Sequence, residues 1–268
     1  MTLLPGAADV VIVGGGPAGA ATAIALRRRG VDTLVLDRAQ FPRDKVCGDV
    51  ILPEAQEALR ALGLDLQSLA AQAYACTGAR YASSGGPDVS GDFRDAAGAA
   101  RPWWMIRRLD FDAWLLDAAR RAGARVIERV DVDDVLRDAT QTVCGVRARS
   151  SGGAHQPVRA QVVVGADGAS SVVARAVGAF QRRPEHTCLA GRAYVSGLTL
   201  PAPYLEVFTT RRTLPGCAWI VPVGDGVASV GMGIVQSTAN RLGRTPQALF
   251  AEIRRESPLL QARLRDAG

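Results

Sequence analysis

Glycines 14, 16 and 19, in the run DVVIVGGGPAG from Asp9 to Gly19, have the spacing of a pyrophosphate-binding turn. Gly14 permits the tight turn, Gly16 lets the backbone approach a phosphate, and Gly19 allows a helix to pack closely on the strand before it. The amides of the helix N-terminus then face the anion. Pro17 and Ala18 lie inside the same turn and join the candidate cofactor contacts, as does Arg38 at the end of LVLDR. In that second run Asp37 stands about 20 residues beyond the turn, where a carboxylate accepts hydrogen bonds from an adenosine ribose. A second acid, Asp167, lies in VVVGADGASS, where Gly168 relieves the turn that ends an apolar run. The segment FPRDKVCGD, residues 41–49, adds charge, the Cys47 thiol and Gly48 directly after the second strand. A loop there lies at the carboxyl edge of a sheet, where α/β folds bind ligands.

These groups need rigid elements behind them. The continuous apolar run Val10 to Val13 reads as a strand buried on both faces, and Ala20 to Arg29 as a helix of good formers. Glu54 to Ala71 reads as helix interrupted near Gly63. From Tyr74 to Arg94 short segments broken by Ser, Gly and Pro suggest a hairpin belonging to another sheet. Arg108 to Gly123 returns to helical periodicity, and Arg125 to Ile127, Val130 to Leu136, Val143 to Arg149 and Val158 to Val164 read as strands, with a polar hairpin tip at Ser150 to His155. After Gly178 come Ala190 to Ser196, Tyr204 to Thr209, Cys217 to Val221 and Val227 to Ile234, an antiparallel sheet; helices follow from Pro246 to Arg255 and from Pro258 to Arg265. The fold class is α/β: a Rossmann-like nucleotide-binding domain over residues 1–178, with a β insert at about 74–104 that contributes to a second, antiparallel domain over 179–268.

Composition narrows the function. With 268 residues the chain can bury one large core or two modest ones. Its net charge of +6 comes from arginines dispersed in short pairs, which argues against nucleic acid and leaves only weak attraction to anionic headgroups or phosphorylated substrates. Five cysteines without a CxxC pair argue against a disulfide framework, and two histidines against a zinc or non-haem iron centre, so no metal is expected. No apolar run approaches the ~20 residues of a spanning helix and no signal-peptide pattern is seen, which makes the cytoplasm the default expectation.

With the glycine fingerprint, FPRDKVCGD resembles the loop of the geranylgeranyl reductase family of FAD-dependent oxidoreductases. The resemblance implies that Cys47 and Gly48 approach the flavin and makes Cys47 a candidate proton donor by position. Arg108, at the start of RLDFD with Leu115, is similar to the arginine of the family's RxxFDxxL helix, which reaches the ribityl–phosphate region. Val132 matches the place where the family grips adenine through backbone atoms. VVVGADGASS resembles the GADGxxS motif of FAD-dependent reductases, hydroxylases and halogenases, with Asp167, Gly168 and Ser171 at the motif positions. CAWIVPVGDGVASVGMG resembles the YxWxFP segment and trailing GxG that line the isoprenoid pocket: Trp219, Pro222, Gly231 and Gly233 match, while Cys217 and Val221 replace the usual tyrosine and phenylalanine. The family's GDAA-type segment has no counterpart, since Gly48-Asp49, Gly91-Asp92 and Gly224-Asp225 lie in other contexts; the chain is expected to be C-terminally truncated.

What the resemblance implies is reduction of carbon–carbon double bonds in a geranylgeranyl or polyprenyl lipid, with FAD as cofactor, NAD(P)H or ferredoxin as electron donor, and peripheral membrane contact. Two alternatives share these fingerprints: an FAD-dependent monooxygenase or halogenase, for which Lys45 is the sole lysine beside Cys47, and a catalytically silent fragment of such an enzyme.

Overall fold

β-Branched and leucine-rich runs that offer no polar face fold as strands covered on both sides, and here they form the centre of a parallel sheet. The computed structural model describes residues 4–84, 86, 88–150, 152–198, 200–211 and 213–265. Its strands in chain order are β1 (Ala7–Val13), β2 (Thr33–Leu36), β3 (Val50–Ile51), β4 (Tyr74–Cys76), β5 (Gly78–Ser83), β6 (Asp88–Asp92), β7 (Trp103–Met105) and β8 (Arg125–Ile127). They continue with β9 (Val130–Arg137), β10 (Val143–Ser150), β11 (His155–Gly165), β12 (Cys188–Ser196), β13 (Tyr204–Thr209), β14 (Cys217–Gly224) and β15 (Val227–Val235). The helices are α1 (Pro17–Arg27), α2 (Pro53–Ala61), α3 (Gln67–Ala70), α4 (Arg108–Arg121), α5 (Val172–Ala176), α6 (Gln236–Leu242), α7 (Pro246–Glu256) and α8 (Pro258–Arg263).

The chain divides into two compact units, one of Met1–Asp44, Leu59–Leu64 and Leu109–Gln181, the other of Lys45–Ala58, Asp65–Arg108 and Arg182–Gly268. The first unit is built on a six-stranded sheet of order β8-β2-β1-β11-β10-β9. Its strands β8, β2, β1 and β11 run parallel, and β10 and β9 extend it as an antiparallel meander. Val11, Leu34, Val146 and Val158 are completely buried in its core. α1 places Gly19, Ala20, Ala23 and Ile24 inward, and the glycine and alanines let the helix lie close to the sheet.

The second unit has a six-stranded sheet of order β12-β15-β14-β13-β5-β6 and a small sheet of order β3-β7-β4. All pairings of the larger sheet are antiparallel except β13 with β5, which is parallel because the partner strand arrives from more than a hundred residues earlier in the chain rather than through a hairpin. Alternation along the strands separates two apolar layers. Ala218, Ile220 and Met232 face the layer completed by Leu249 and Ile253 of α7 and Leu260 of α8. Val221 and Val223 face the other, with Cys76, Met105 and Leu205. The small sheet and α6 were not foreseen: strands of two or three residues show no periodicity, and α6 follows β15 without an intervening breaker. Among the described residues no helix is long and apolar enough to cross a membrane.

Candidate functional site: a nucleotide cradle and a polar hub

In the first unit the turns after β1, β2 and β11 meet at the carboxyl ends of parallel strands, where α/β sheets hold ligands. Gly14 has φ +104°, and a Cβ there would overlap the carbonyl of Ala166 in the β11 turn. A Cβ on Gly19 would overlap the Gly14 carbonyl oxygen, so α1 rests directly on the turn that precedes it. Pro17 occupies the first helical turn with Ala18 behind it, and Gly16 is the N-cap. The first amides of such a helix have no intrahelical acceptor and stay available to an anion; Pro17 gives up one of these donors at no cost.

Asp37 is buried at the tip of β2, and each of its oxygens already serves the main chain. Gly15 N–H donates to Oδ2 at 2.6 Å and Ala39 N–H to Oδ1 at 2.7 Å. A carboxylate has about four acceptor positions, so two remain for a ribose diol. Arg38 beside it is exposed. The Val130 N–H donates to the Asp37 carbonyl at 2.9 Å, which brings the start of β9 to this tip and sets Val132, buried, on the edge strand of the sheet.

Asp167 and Gly168 stand at the mouth of the same sheet. Asp167 accepts from the Ser171 hydroxyl at 2.5 Å and the Val172 N–H at 2.6 Å, and Ser171 in turn accepts from the Ala174 N–H at 2.9 Å. Together they cap α5 and fix the GADG turn that abuts Gly14. Gly168 is exposed with φ +81°.

A cation not singled out in the sequence completes this cradle. Arg43, of FPRDKVCGD, places Nη2 3.4 Å from where a Cβ of Gly16 would lie. Its guanidinium pairs with the buried carboxylate of Asp112 in α4 at 2.9 Å and sits 4.7 Å over the Phe41 ring. A fixed guanidinium beside a glycine turn and a helix N-terminus suits a doubly anionic pyrophosphate. The cradle therefore fits a dinucleotide: space at the glycines, a carboxylate for the ribose, an arginine for the phosphates.

The remaining candidates belong to the second unit. Cys47 and Gly48 are half-buried in the loop before β3. Arg108, buried at the start of α4, donates its N–H to Asp49. On the larger sheet the Trp219 indole lies against Gly231, where a Cβ would overlap it, and its Cζ3 is 3.5 Å from the place a Gly233 Cβ would take. Cys188 Sγ is 3.4 Å from that same place, and burial pushes the nearby Cys217 thiol up. Pro222 is buried on β14, three residues along from Trp219, so strand alternation puts it on the opposite face.

Asp49 is the polar centre of this unit and was also not singled out. Its carboxyl, fully buried, lies among the Arg108 N–H, the Tyr194 hydroxyl, the Ser229 hydroxyl and the Arg192 guanidinium. Burial raises it above the usual carboxylate range, outweighing the opposite pull of those neighbours. Arg43 and Asp49 both lie in the quoted loop; the available signal was their charge beside a candidate site, and their partners are too distant in sequence to be read from it.

Residues 7–253 match the FAD binding domain family, and the chain belongs to that family. It is 35% identical over 242 residues to a menaquinone reductase of Mycobacterium tuberculosis, covering 87% of this chain and 56% of the relative. It is 32% identical over 232 residues to digeranylgeranylglycerophospholipid reductase 1 of Methanopyrus kandleri, covering 84% of this chain and 57% of that protein. The chain thus spans little more than half the length of these relatives. Among solved structures, the myxobacterial chondrochloren halogenase superposes with TM-score 0.83 at 26% identity, covering 98% of this chain and 61% of that one. A geranylgeranyl bacteriochlorophyll reductase-like protein from Thermoplasma acidophilum superposes with TM-score 0.81 at 22% identity over 98% of this chain and 64% of that one, a likeness of fold.

Proposed function

We propose that this chain is the FAD-binding and substrate-lining part of an oxidoreductase that reduces carbon–carbon double bonds in a geranylgeranyl or related polyprenyl group. The observation that carries the reading is the Trp219 indole packed against Gly231 and Gly233, where side chains would meet it. An indole over a floor without side chains makes a smooth apolar wall, suited to a methyl-branched chain that offers no hydrogen bonds. The sequence relatives support it, since menaquinone and digeranylgeranylglycerophospholipid both carry isoprenoid chains.

In this reading Gly14, Gly16, Pro17, Ala18, Gly19 and Arg43 hold the pyrophosphate, Asp37 with Arg38 the adenosine ribose, Val132 the adenine, and Asp167 and Gly168 the flavin side. Reduced FAD supplies hydride, with NAD(P)H or ferredoxin as the source of electrons. An isolated alkene accepts hydride only if it is protonated, so the chain must also hold a proton at the reacting carbon; Cys47 is the candidate donor. Trp219 and its glycines orient the chain and exclude water. An apolar substrate of this kind is delivered from a lipid surface, which makes peripheral membrane contact part of the reading.

Anaerobic incubation of the FAD-loaded chain with dithionite and a geranylgeranyl lipid tests it by mass spectrometry. The expected product gains two hydrogens for each double bond reduced; an unchanged lipid beside a working reductase control counts against the reading. The likeness to halogenase structures favours a second reading, an FAD-dependent halogenase or monooxygenase. Oxygen-dependent NAD(P)H consumption with a phenolic or indolic substrate distinguishes it.

A further inference from the structure

Asp49 closes the FPRDKVCGD segment with φ 60°, a left-handed conformation that aspartate adopts more readily than most side chains. Its surroundings are polar and buried. Oδ1 accepts from the Arg108 N–H at 3.1 Å and from the Tyr194 hydroxyl at 3.1 Å. The Asp49 carbonyl accepts from the Ile106 N–H at 2.9 Å. Arg192 Nε lies 3.7 Å from Oδ2, in a pair whose side chains are 4% and 0% exposed. Arg192 also donates from Nη2 to the Lys45 carbonyl at 3.2 Å, and its guanidinium stacks 3.9 Å above the Tyr194 ring.

The loop that carries Cys47 is therefore fastened to β12 at both ends, at Lys45 by Arg192 and at Asp49 by Tyr194 and Arg192. Arg192 does more than hold the loop. It pairs with Gly231 across the sheet, and a Cβ on that glycine would meet both the Arg192 Cβ and the Trp219 ring. One arginine thus touches the loop, the buried acid and the floor beneath the indole.

We propose that Asp49 is a positioning residue whose charge, acting through Arg192 and Tyr194, fixes the Cys47 loop in register with the Trp219 wall. The assignment rests on the reading of Cys47 and Trp219 as reductase residues. The groups facing the Asp49 carboxyl are the Arg108 N–H at the start of α4, the Arg192 guanidinium and Tyr194 hydroxyl of β12 and the Ser229 hydroxyl of β15; Arg107 lies 5.4 Å over the Tyr194 ring. Arg192 is the cation that pulls on the carboxyl, and ionised Asp49 draws it in. Protonated Asp49 stays buried and keeps its hydrogen-bonding oxygen but loses that attraction, and the Cys47 loop loosens around it.

The test is the rate at which Cys47 reacts with a disulfide reagent that stays active in acid, located by peptide mass mapping among the five cysteines and normalised to thiolate fraction and to the unfolded chain. In the native chain, protection of Cys47 is expected to fall about tenfold on acidification through the Asp49 titration. Asp49→Asn, which keeps the acceptor for Arg108 and Tyr194, should show weakened protection that no longer depends on pH. Matching pH profiles in the two proteins overturn the proposal. Should Asp49→Asn fail to fold, Arg192→Gln carries the same expectation and Tyr194→Phe should lower protection while keeping the pH dependence; native-like profiles in both overturn it. In the lipid assay, Asp49→Asn should lower kcat and leave KM nearly unchanged. The labelling needs neither FAD nor lipid, so a chain that shows the Asp49-dependent profile without reducing lipid rejects the reductase reading and retains Asp49 as the residue that holds the loop.

Discussion

Arg43 and Asp49 lie six positions apart in the sequence and have separate roles: Arg43 faces the glycine turn of the first unit, and Asp49 is buried in the second. For Arg43 the pair with buried Asp112 fixes the guanidinium before any ligand arrives, so little ordering entropy is lost on binding. Replacing it, Arg43→Met, should raise the Kd for FAD by roughly tenfold or more, the effect of losing one charge-assisted contact; flavin fluorescence quenching measures it, and an unchanged Kd removes Arg43 from the cradle. For Asp49 the sign of the pH effect follows from its raised value. A carboxyl whose folded pKa lies above its unfolded one contributes stability below the unfolded value, and that contribution is lost as pH rises through the folded one. Asp49→Asn should therefore unfold at higher denaturant than the native chain near neutral pH, with the difference shrinking in acid. A buried charge that lowers stability is what a positioning role at a functional site entails.

Among the elements, those with a long, unambiguous pattern were legible in the sequence. β1 declares itself by an apolar run, α1 by its good formers, and the turn between them by glycines whose spacing matches the overlaps a Cβ would cause at Gly14 and Gly19. The small sheet β3-β7-β4 and the parallel pairing of β13 with β5 were not, because each depends on partners distant along the chain. The same is true of what holds α8. Arg263 makes a two-pronged pair with Glu206 of β13 at 2.9 and 2.8 Å, and Glu206 is 2% exposed. Among the described residues, Arg263→Met leaves that buried carboxylate with the more distant Arg80, at 3.8 Å, as its cation. It should cost about 2 kcal/mol, less than a fully buried pair because Arg263 is partly solvated; urea unfolding of the second unit's signals measures it, and a loss under about 0.5 kcal/mol would place the pair among ordinary surface contacts.

At the scale of the whole molecule, FAD should stabilise the folded chain by mass action. At a concentration of 100 times Kd the gain is about 2.7 kcal/mol, read as a melting temperature that climbs with FAD concentration. A melting temperature indifferent to FAD would show that these residues do not suffice to hold the cofactor, the outcome expected of a silent fragment, and it bears directly on a chain spanning little more than half of its reductase relatives.

By itself the sequence determined the local devices: the glycine turn, the acid at the tip of β2, the capped GADG turn and the tryptophan with its glycines. Each is set by backbone conformation and steric room within a short stretch, and residue type records these directly. Only the tertiary structure decided which charges meet. Asp112 reaches Arg43 from α4, and Arg192 and Tyr194 reach Asp49 from β12, because packing brings together side chains whose separation along the chain carries no periodicity to read.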